Sequence, residues 1–368
     1  MAKIVYGLSG EGSGHSSRAR EMITYLEQLG HAVKVISYDR GFNNLKNDFD
    51  VFEIEGLHIA SSDNRVSKVK TFTENLQRLP RGHKKLHALR KEIFKTFQPD
   101  CVITDFEPMT AYLAHHYDLP LISIDNQHRI RYMTYPCPAR LQKERRMTVS
   151  IIRAMVPRPD VSLVTTFYYG EAKNDRTFFF PPILREAVVA RPPSDDGHVL
   201  VYLTSGFESF LKLLKSFSRE RFRVYGYDRD EQDGHIVYKP FSKAGFLEDL
   251  ATCKAVMATA GFTLMTEAFY LRKPYLALPM RGQFEQELNA YLLARLKYGI
   301  NLRRIRTEAI GNFLYRLPEY KSNLNTYRAE DNSAIKAMLG ELLKDNCLRA
   351  KEFHPNRGHQ SHNNSNKS

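Results

Sequence analysis

The chain has 368 residues, 42% of them hydrophobic and 26% charged, the balance of an ordinary globular protein, which excludes collagen-like, coiled-coil and largely disordered chains. Its length suggests two domains, and no apolar run is long enough to span a bilayer. Lys and Arg number 54 against 41 Asp and Glu, a formal charge of +13, which favours a polyanion without choosing among nucleic acid, an anionic membrane surface and a nucleotide-bearing substrate.

In chain order, Lys3 to Leu8 reads as a polar-flanked strand and not as a secretory signal, so a cytoplasmic protein is expected. A glycine-rich turn follows, then a helix from about Ser16 to Leu29 closed by Gly30, then a strand from Ala32 to Ser37. The alternation recurs at Cys101–Thr104 (strand), Met109–Tyr117 (helix) and Leu121–Ile124 (strand), each strand a continuous apolar run of the kind buried on both faces of a parallel sheet. From Phe178 to Ser194 a Pro-rich stretch reads as an interdomain linker. A second series follows: strands at His198–Leu203, Phe222–Tyr225, Ala255–Ala258 and Tyr275–Leu278, with helices at Phe207–Phe217, Thr263–Leu271 and Gln286–Leu296. The expected architecture is α/β, two Rossmann-like doubly wound domains facing across a cleft. Their expected bounds are 1–185 and 186–348, with a disordered tail over 349–368. The cysteines, Cys101, Cys137, Cys253 and Cys347, form no Cys-x-x-Cys pair and are expected to be reduced thiols.

The first strand runs into Gly7-Leu8-Ser9-Gly10-Glu11-Gly12-Ser13-Gly14-His15, where close glycines let a backbone pass near a ligand at a helix N-terminus. A dinucleotide fingerprint would need a small residue at position 15, where His15 stands. His15 either projects into the cleft or merely caps the helix. In the second half, Gly261-Phe262-Thr263 opens a helix whose N–H groups could hold a diphosphate. Glu267 lies one turn on and could accept both ribose hydroxyls. After Lys273-Pro274 and Pro279 come Glu285-Gln286 and Asn289.

Gly-x-Thr-x-x-x-Glu, then Lys-Pro, then Glu-Gln-x-x-Asn-Ala, resembles the donor-binding segment of UDP-sugar-dependent glycosyltransferases of the GT-B fold, such as plant UDP-glycosyltransferases and the transferase that makes lipid II. The resemblance covers most of the chain and implies an inverting, metal-independent transferase with a UDP-sugar as co-substrate and no further cofactor. It places the ribose on Glu267 and the donor sugar on Glu285 and Gln286, with Asn289 one turn later. The base would lie near Phe241, and the phosphates on Gly261, Phe262, Thr263 and the loop holding Ser205 and Gly206. It also implies a catalytic His15 oriented by Asp105, with Glu107 as an alternative partner or base. Such a carboxylate would fix the imidazole tautomer while the other ring nitrogen takes a proton from the acceptor hydroxyl. Asp105 could equally be a helix N-cap. Gly12, Gly14, Asp125, Asn126 and His128 are expected on the acceptor side of the cleft. Thr259 and Leu264 depart from the plant pattern, which has a His and a Ser there, so phosphate binding must lean on backbone N–H groups and Thr hydroxyls.

Asp228-Arg229-Asp230 falls in a polar turn and is not taken as a metal site. Two basic clusters, Arg81–Lys95 and Arg140–Arg158, lie in the expected acceptor domain. In the second, Met147, Val149, Ile151, Ile152, Met155 and Val156 interleave with the charges, which fits docking on an anionic membrane and a lipid-linked or envelope-glycan acceptor, with nucleic acid as the runner-up. A nucleotide-sugar 2-epimerase or hydrolase, or a non-catalytic nucleotide-sugar or nucleic-acid-binding protein, remain the alternatives.

Overall fold

The computed structural model describes residues 1–56, 61–62, 65–66, 85–203 and 206–354. Within them two seven-stranded sheets carry the fold. In the first, the strands lie in the order Val51–Glu53, Ala32–Ser37, Lys3–Leu8, Cys101–Asp105, Leu121–Asp125, Val161–Thr165, Thr177–Phe180, every pair parallel. The strand from Lys3 is thus central, and the chain winds outward from it in both directions. The crevice where the order reverses lies between Lys3–Leu8 and Cys101–Asp105, which end in register at Leu8 and Asp105. The second sheet repeats the scheme around His198–Tyr202, with Arg221–Tyr225 on one side and Ala255–Ala258 on the other. It departs from all-parallel pairing at Glu231–Asp233, an edge strand antiparallel to Ile236–Tyr238.

The apolar runs read from the sequence are the buried strands. Cys101–Asp105, Leu121–Asp125 and Val161–Thr165 are buried at every position. The helices fill both faces: Ala19, Met22, Ile23 and Leu26 of Gly14–Gln28 pack on one side of the first sheet, Ala111, Leu113 and Ala114 of Pro108–His116 on the other.

Three expectations change. Phe178–Phe180 belong to the edge strand of the first sheet, so the linker begins later than the run of aromatics suggested. The final helix, Ser333–Phe353, with non-helical backbone at Lys344–Cys347, buries Ile335, Leu339, Leu342, Leu343, Cys347 and Ala350 in the first domain's core. The chain therefore returns to the first domain before residue 348, and residues 349–353 are helical; 355–368 of the expected tail lie outside the described residues. Finally, the basic segment forms a helix over Gln142–Met155, but Val149 and Ile152 join a cluster that includes Leu288 and Phe284 of the second domain. Val156 is buried and Met155 half-buried against the first domain's core, so only Met147 and Ile151 of the six stay exposed.

Candidate active site at the domain junction

The two crevices face each other, and the helices leaving them meet end to end. A methyl group built on Gly14, the first residue of helix Gly14–Gln28, would sit 2.6 Å from Thr263 Oγ1 in the first turn of helix Phe262–Tyr270. No side chain larger than hydrogen fits there without displacement. Neither helix has an acidic residue in its first turn, so two unneutralised positive dipole ends converge on one space. Gly12, at φ 75°, supplies the left-handed turn that brings the loop in.

His15 is one residue into the first helix, and its Nδ1 lies 2.7 Å from Asp105 Oδ1. Asp105 therefore orients His15 and caps no helix: the cap of Pro108–His116 is Glu107, whose carboxylate accepts from the N–H groups of Met109 (2.9 Å) and Thr110 (2.7 Å) and from Thr110 Oγ1 (2.7 Å). Burial pushes the Glu107 carboxyl up even against those bonds. With both oxygens spent on the helix end, Glu107 is not placed as a partner of His15.

Arg18, which no motif in the sequence marks, completes the assembly. Its Nε donates to Asp105 Oδ2 at 2.6 Å, its Nη2 to Oδ1 at 2.5 Å, and its Nη1 to Asn126 Oδ1 at 2.8 Å. Burial opposes a charge on Asp105, but Arg18 and His15 outweigh it and hold the carboxyl below its ordinary range. His15 Nδ1 lies 2.7 Å from Asp105 Oδ1, which can only accept, and 2.8 Å from Arg18 Nη2, which can only donate, so Nδ1 is engaged in either tautomer and Nε2 is left for another group.

Asn126 carries the network across the cleft. Its Nδ2 donates to Glu285 Oε1 at 2.7 Å, and Gln127 Nε2 lies 3.4 Å from Oε2. A continuous chain thus runs from His15 through Asp105, Arg18 and Asn126 to Glu285, at the start of helix Phe284–Arg295. Gln286 accepts the Met280 N–H at 3.0 Å, which keeps its NH2 group as a donor. Asn289, expected on the donor, is instead buried behind it: Nδ2 donates to Ala260 O at 2.8 Å and Oδ1 accepts from Arg129. Arg129 is itself fully buried between the rings of Phe167 and Phe262, its charge centre 5.5 Å and 5.0 Å from their centroids. Asp125 and His128, expected at the cleft rim, are fully buried and paired at 2.6 Å, with no surface for an acceptor.

Glu267 is buried, and both its oxygens accept from Arg185, Nε and Nη2 each at 2.6 Å. Arg185 was missed because it stands in the Pro-rich stretch, with no periodicity to place it. Phe241 is 57% exposed near Tyr202 and Phe246, open to a planar ligand. The Gly206 N–H donates to Glu208 Oε1 at 2.9 Å, while Ser205 lies outside the described residues. Among the described residues no group of three His, Cys, Asp or Glu side chains could hold a metal ion.

A family model described as glycosyl transferase family 1 matches residues 2–318. The chain belongs to glycosyl transferase family 1. Uncharacterised glycosyltransferases of Methanosarcina acetivorans and Methanosarcina mazei are each 25% identical to this family 1 protein, over 327 and 335 residues, covering 81% of this chain and 84% of theirs. Among solved structures, the calicheamicin glycosyltransferase CalG4 superposes with a TM-score of 0.67 at 15% identity, over 93% of this chain and 98% of its own. The Streptomyces glycosyltransferase SsfS6, complexed with thymidine diphosphate, gives 0.60 at 12% identity, over 93% and 100%. Those likenesses show the GT-B fold expected from the motifs. No helix among the described residues is long and apolar enough to cross a membrane.

Proposed function

We propose that this family 1 transferase moves a sugar from a UDP-sugar donor to an acceptor hydroxyl with inversion, releasing UDP and using His15 as general base. The observation that carries the reading is the hydrogen-bonded chain from His15 to Glu285, which joins a proton acceptor in one domain to a carboxylate suited to sugar hydroxyls in the other. A structural neighbour holding thymidine diphosphate, and a spinosyn rhamnosyltransferase complexed with its aglycone, support a nucleoside diphosphate donor and a separate acceptor.

In this mechanism the diphosphate lies at the N-terminus of helix Phe262–Tyr270, beside its contact with Gly14, where the free N–H groups of the first turn stabilise the charge that grows as the leaving group departs. No metal is assigned to that task. His15 Nε2 takes the acceptor proton as the hydroxyl attacks the anomeric carbon, and Asp105 holds the ring in the tautomer that leaves Nε2 unprotonated. Arg18 already satisfies the Asp105 charge, so Asp105 serves orientation above all. Glu285 and the Gln286 amide take the sugar hydroxyls, Glu285 exchanging part of its contact with Asn126 and Gln127. Glu267, buried with both oxygens on Arg185, exchanges part of that pair to take the ribose. For the acceptor, exposed Met147 and Ile151 beside Lys143, Arg146 and Arg153 support a lipid-linked or envelope glycan met at an anionic membrane face.

The test is release of free nucleotide from a panel of nucleotide sugars, with and without membrane extract, by wild type and His15→Ala. Acceptor-dependent release that falls about 10²- to 10⁴-fold in the variant, with UDP affinity kept, is the expected result. Sugar isomerisation without an acceptor, or undiminished turnover in His15→Ala, overturns the proposal.

A further inference from the structure

A second polar cavity opens at the other end of the first sheet. It measures about 300 Å³ and is lined by Arg131, Tyr132, Arg158, Asp160, Asn174 and Arg176, among others. Asp160 and Arg176 immediately precede the strands Val161–Thr165 and Thr177–Phe180, at their amino ends, whereas His15 and Asp105 stand at carboxyl ends. Five strand residues at about 3.3 Å each put roughly 16 Å of sheet between the two sites.

Three arginines line this cavity, and among the described residues none of them has a carboxylate within ion-pair distance. Arg176 makes one weak bond, Nη1 to Phe353 O at 3.4 Å. Arg131 lies over the ring of Tyr132 at 4.6 Å, and its Nη1 is buried with no hydrogen-bond partner. The single acid, Asp160, is spent elsewhere: its Oδ2 accepts the Leu121 N–H at 2.8 Å and faces His354 Nδ1 at 2.9 Å. Asn174 gives its carbonyl oxygen to the Arg176 N–H (3.0 Å) and Thr177 Oγ1 (2.9 Å), which leaves its NH2 group to donate. The lining is therefore rich in donors and short of acceptors. Burial depresses the Arg131 pKa, with Tyr132 opposing and the charge of Arg153 adding to the effect, and an anion beside it would act in the opposite sense.

The geometry points to a phosphate-binding site here, separate from the transfer centre, in which Arg131, Arg158 and Arg176 hold a phosphate group and Asn174 adds a neutral donor. Planar forks in this number suit a tetrahedral oxyanion carrying two charges, and the volume, at the lower end of small-ligand cavities, admits the phosphate with a small group attached. Inorganic phosphate and the headgroup of an anionic lipid share that chemistry. Loading the pocket would give Arg131 Nη1 the hydrogen-bond acceptor it lacks.

The experiment is thermal-shift titration of the full chain with sodium phosphate against sodium chloride at matched ionic strength, for wild type, Arg131→Gln, Arg176→Gln and Arg158→Gln. The last is an exposed residue whose replacement leaves the core intact. Saturable stabilisation by phosphate beyond chloride, with affinity at least about tenfold weaker in each variant and UDP affinity unchanged, is expected. Flotation with phosphatidic acid and phosphatidylcholine vesicles separates the sources. Binding to phosphatidic acid alone that the variants lose assigns a lipid phosphate, and a phosphate shift without flotation assigns a soluble one. Phosphate acting no better than chloride with no flotation, or any effect undiminished in all three variants, overturns the site.

Discussion

Replacing Arg18 by Met tests whether the buried carboxylate of the proposed base assembly depends on a cation that the motif alone does not reveal. Asp105 is fully buried and Arg18 is 5% exposed, so neither charge can turn to water when its partner is lost. Met fills a similar volume but leaves Asp105 with His15 Nδ1 as its one remaining donor. Breaking a buried pair by removing one member costs about 3 to 5 kcal/mol, and in a domain of this size each kcal/mol lowers the melting midpoint by about 2 to 4 °C. A fall of about 10 °C at pH 7 is therefore expected. The pH dependence gives the sign: Asp105 has a depressed folded pKa, so its contribution in the wild type is present above the unfolded value near 3.9 and is lost as pH falls through the folded one. Without Arg18 the folded pKa rises, the carboxyl protonates earlier, and the gap between variant and wild type narrows as pH drops from 7 toward 4. Arg18→Met combined with Asp105→Asn removes the orphaned charge and is expected to be more stable than Arg18→Met alone. Urea unfolding across that pH range is the assay. A loss below about 1 kcal/mol, or a gap that does not change with pH, refutes the reasoning.

Glu267→Ala is expected to weaken UDP binding by about 1 to 3 kcal/mol by calorimetry, since the ribose loses a charged acceptor. Unchanged affinity in a folded variant would confine Glu267 to its pair with Arg185. Asn126→Ala removes two hydrogen bonds to charged groups, and turnover is expected to fall about tenfold or more while UDP affinity stays within about threefold; an equal loss in both would place Asn126 on the nucleotide. Gly14→Ala sets a methyl against Thr263 Oγ1 across the cleft, a clash at the first helical residue that helix propensity does not offset, so both the unfolding midpoint and turnover should drop. Adding Thr263→Ser, which keeps the hydroxyl and frees its rotation, should restore part of each; full activity in Gly14→Ala would mean that the two helix ends do not meet during catalysis.

The parts legible in the sequence are those where one physical signal dominates. Ala255–Ala258 was readable to the residue because a strand covered on both faces must be apolar throughout, while Ala32–Ser37, with Lys34 in its middle, was readable by its place after the first helix and Gly30. Gly261 stood out because a glycine at a strand end marks a turn into a helix, whereas His15 alone read as well as a helix cap and drew attention only through the resemblance to the family motif. Asp105 was ambiguous until the structure showed Glu107 taking the cap two residues later, a choice that depends on backbone geometry and not on residue type. The return of helix Ser333–Phe353 to the first domain was hidden, since an amphipathic pattern says that a face is buried but not against what.

Arg18 shows the same boundary within the site. It stands three residues after His15, on the same face of the helix, a spacing that makes the two side chains neighbours and could have drawn attention to it. What spacing does not contain is the partner: Asp105 lies on a strand 87 residues further on, and Asn126 is 108 residues from Arg18. Those two reach Arg18 only because the parallel sheet ends its neighbouring strands at one level. Glu285 is later still, and it joins the chain only because the second domain repeats the same winding and turns its own crevice toward the first. The motif thus marks the two ends of the network, His15 and Glu285, while the fold supplies the middle. A transferase site of this kind is a property of two crevices held face to face, and the side chains that hold them, Arg18 and Asn126, belong to its chemistry as much as the groups that would touch the sugar.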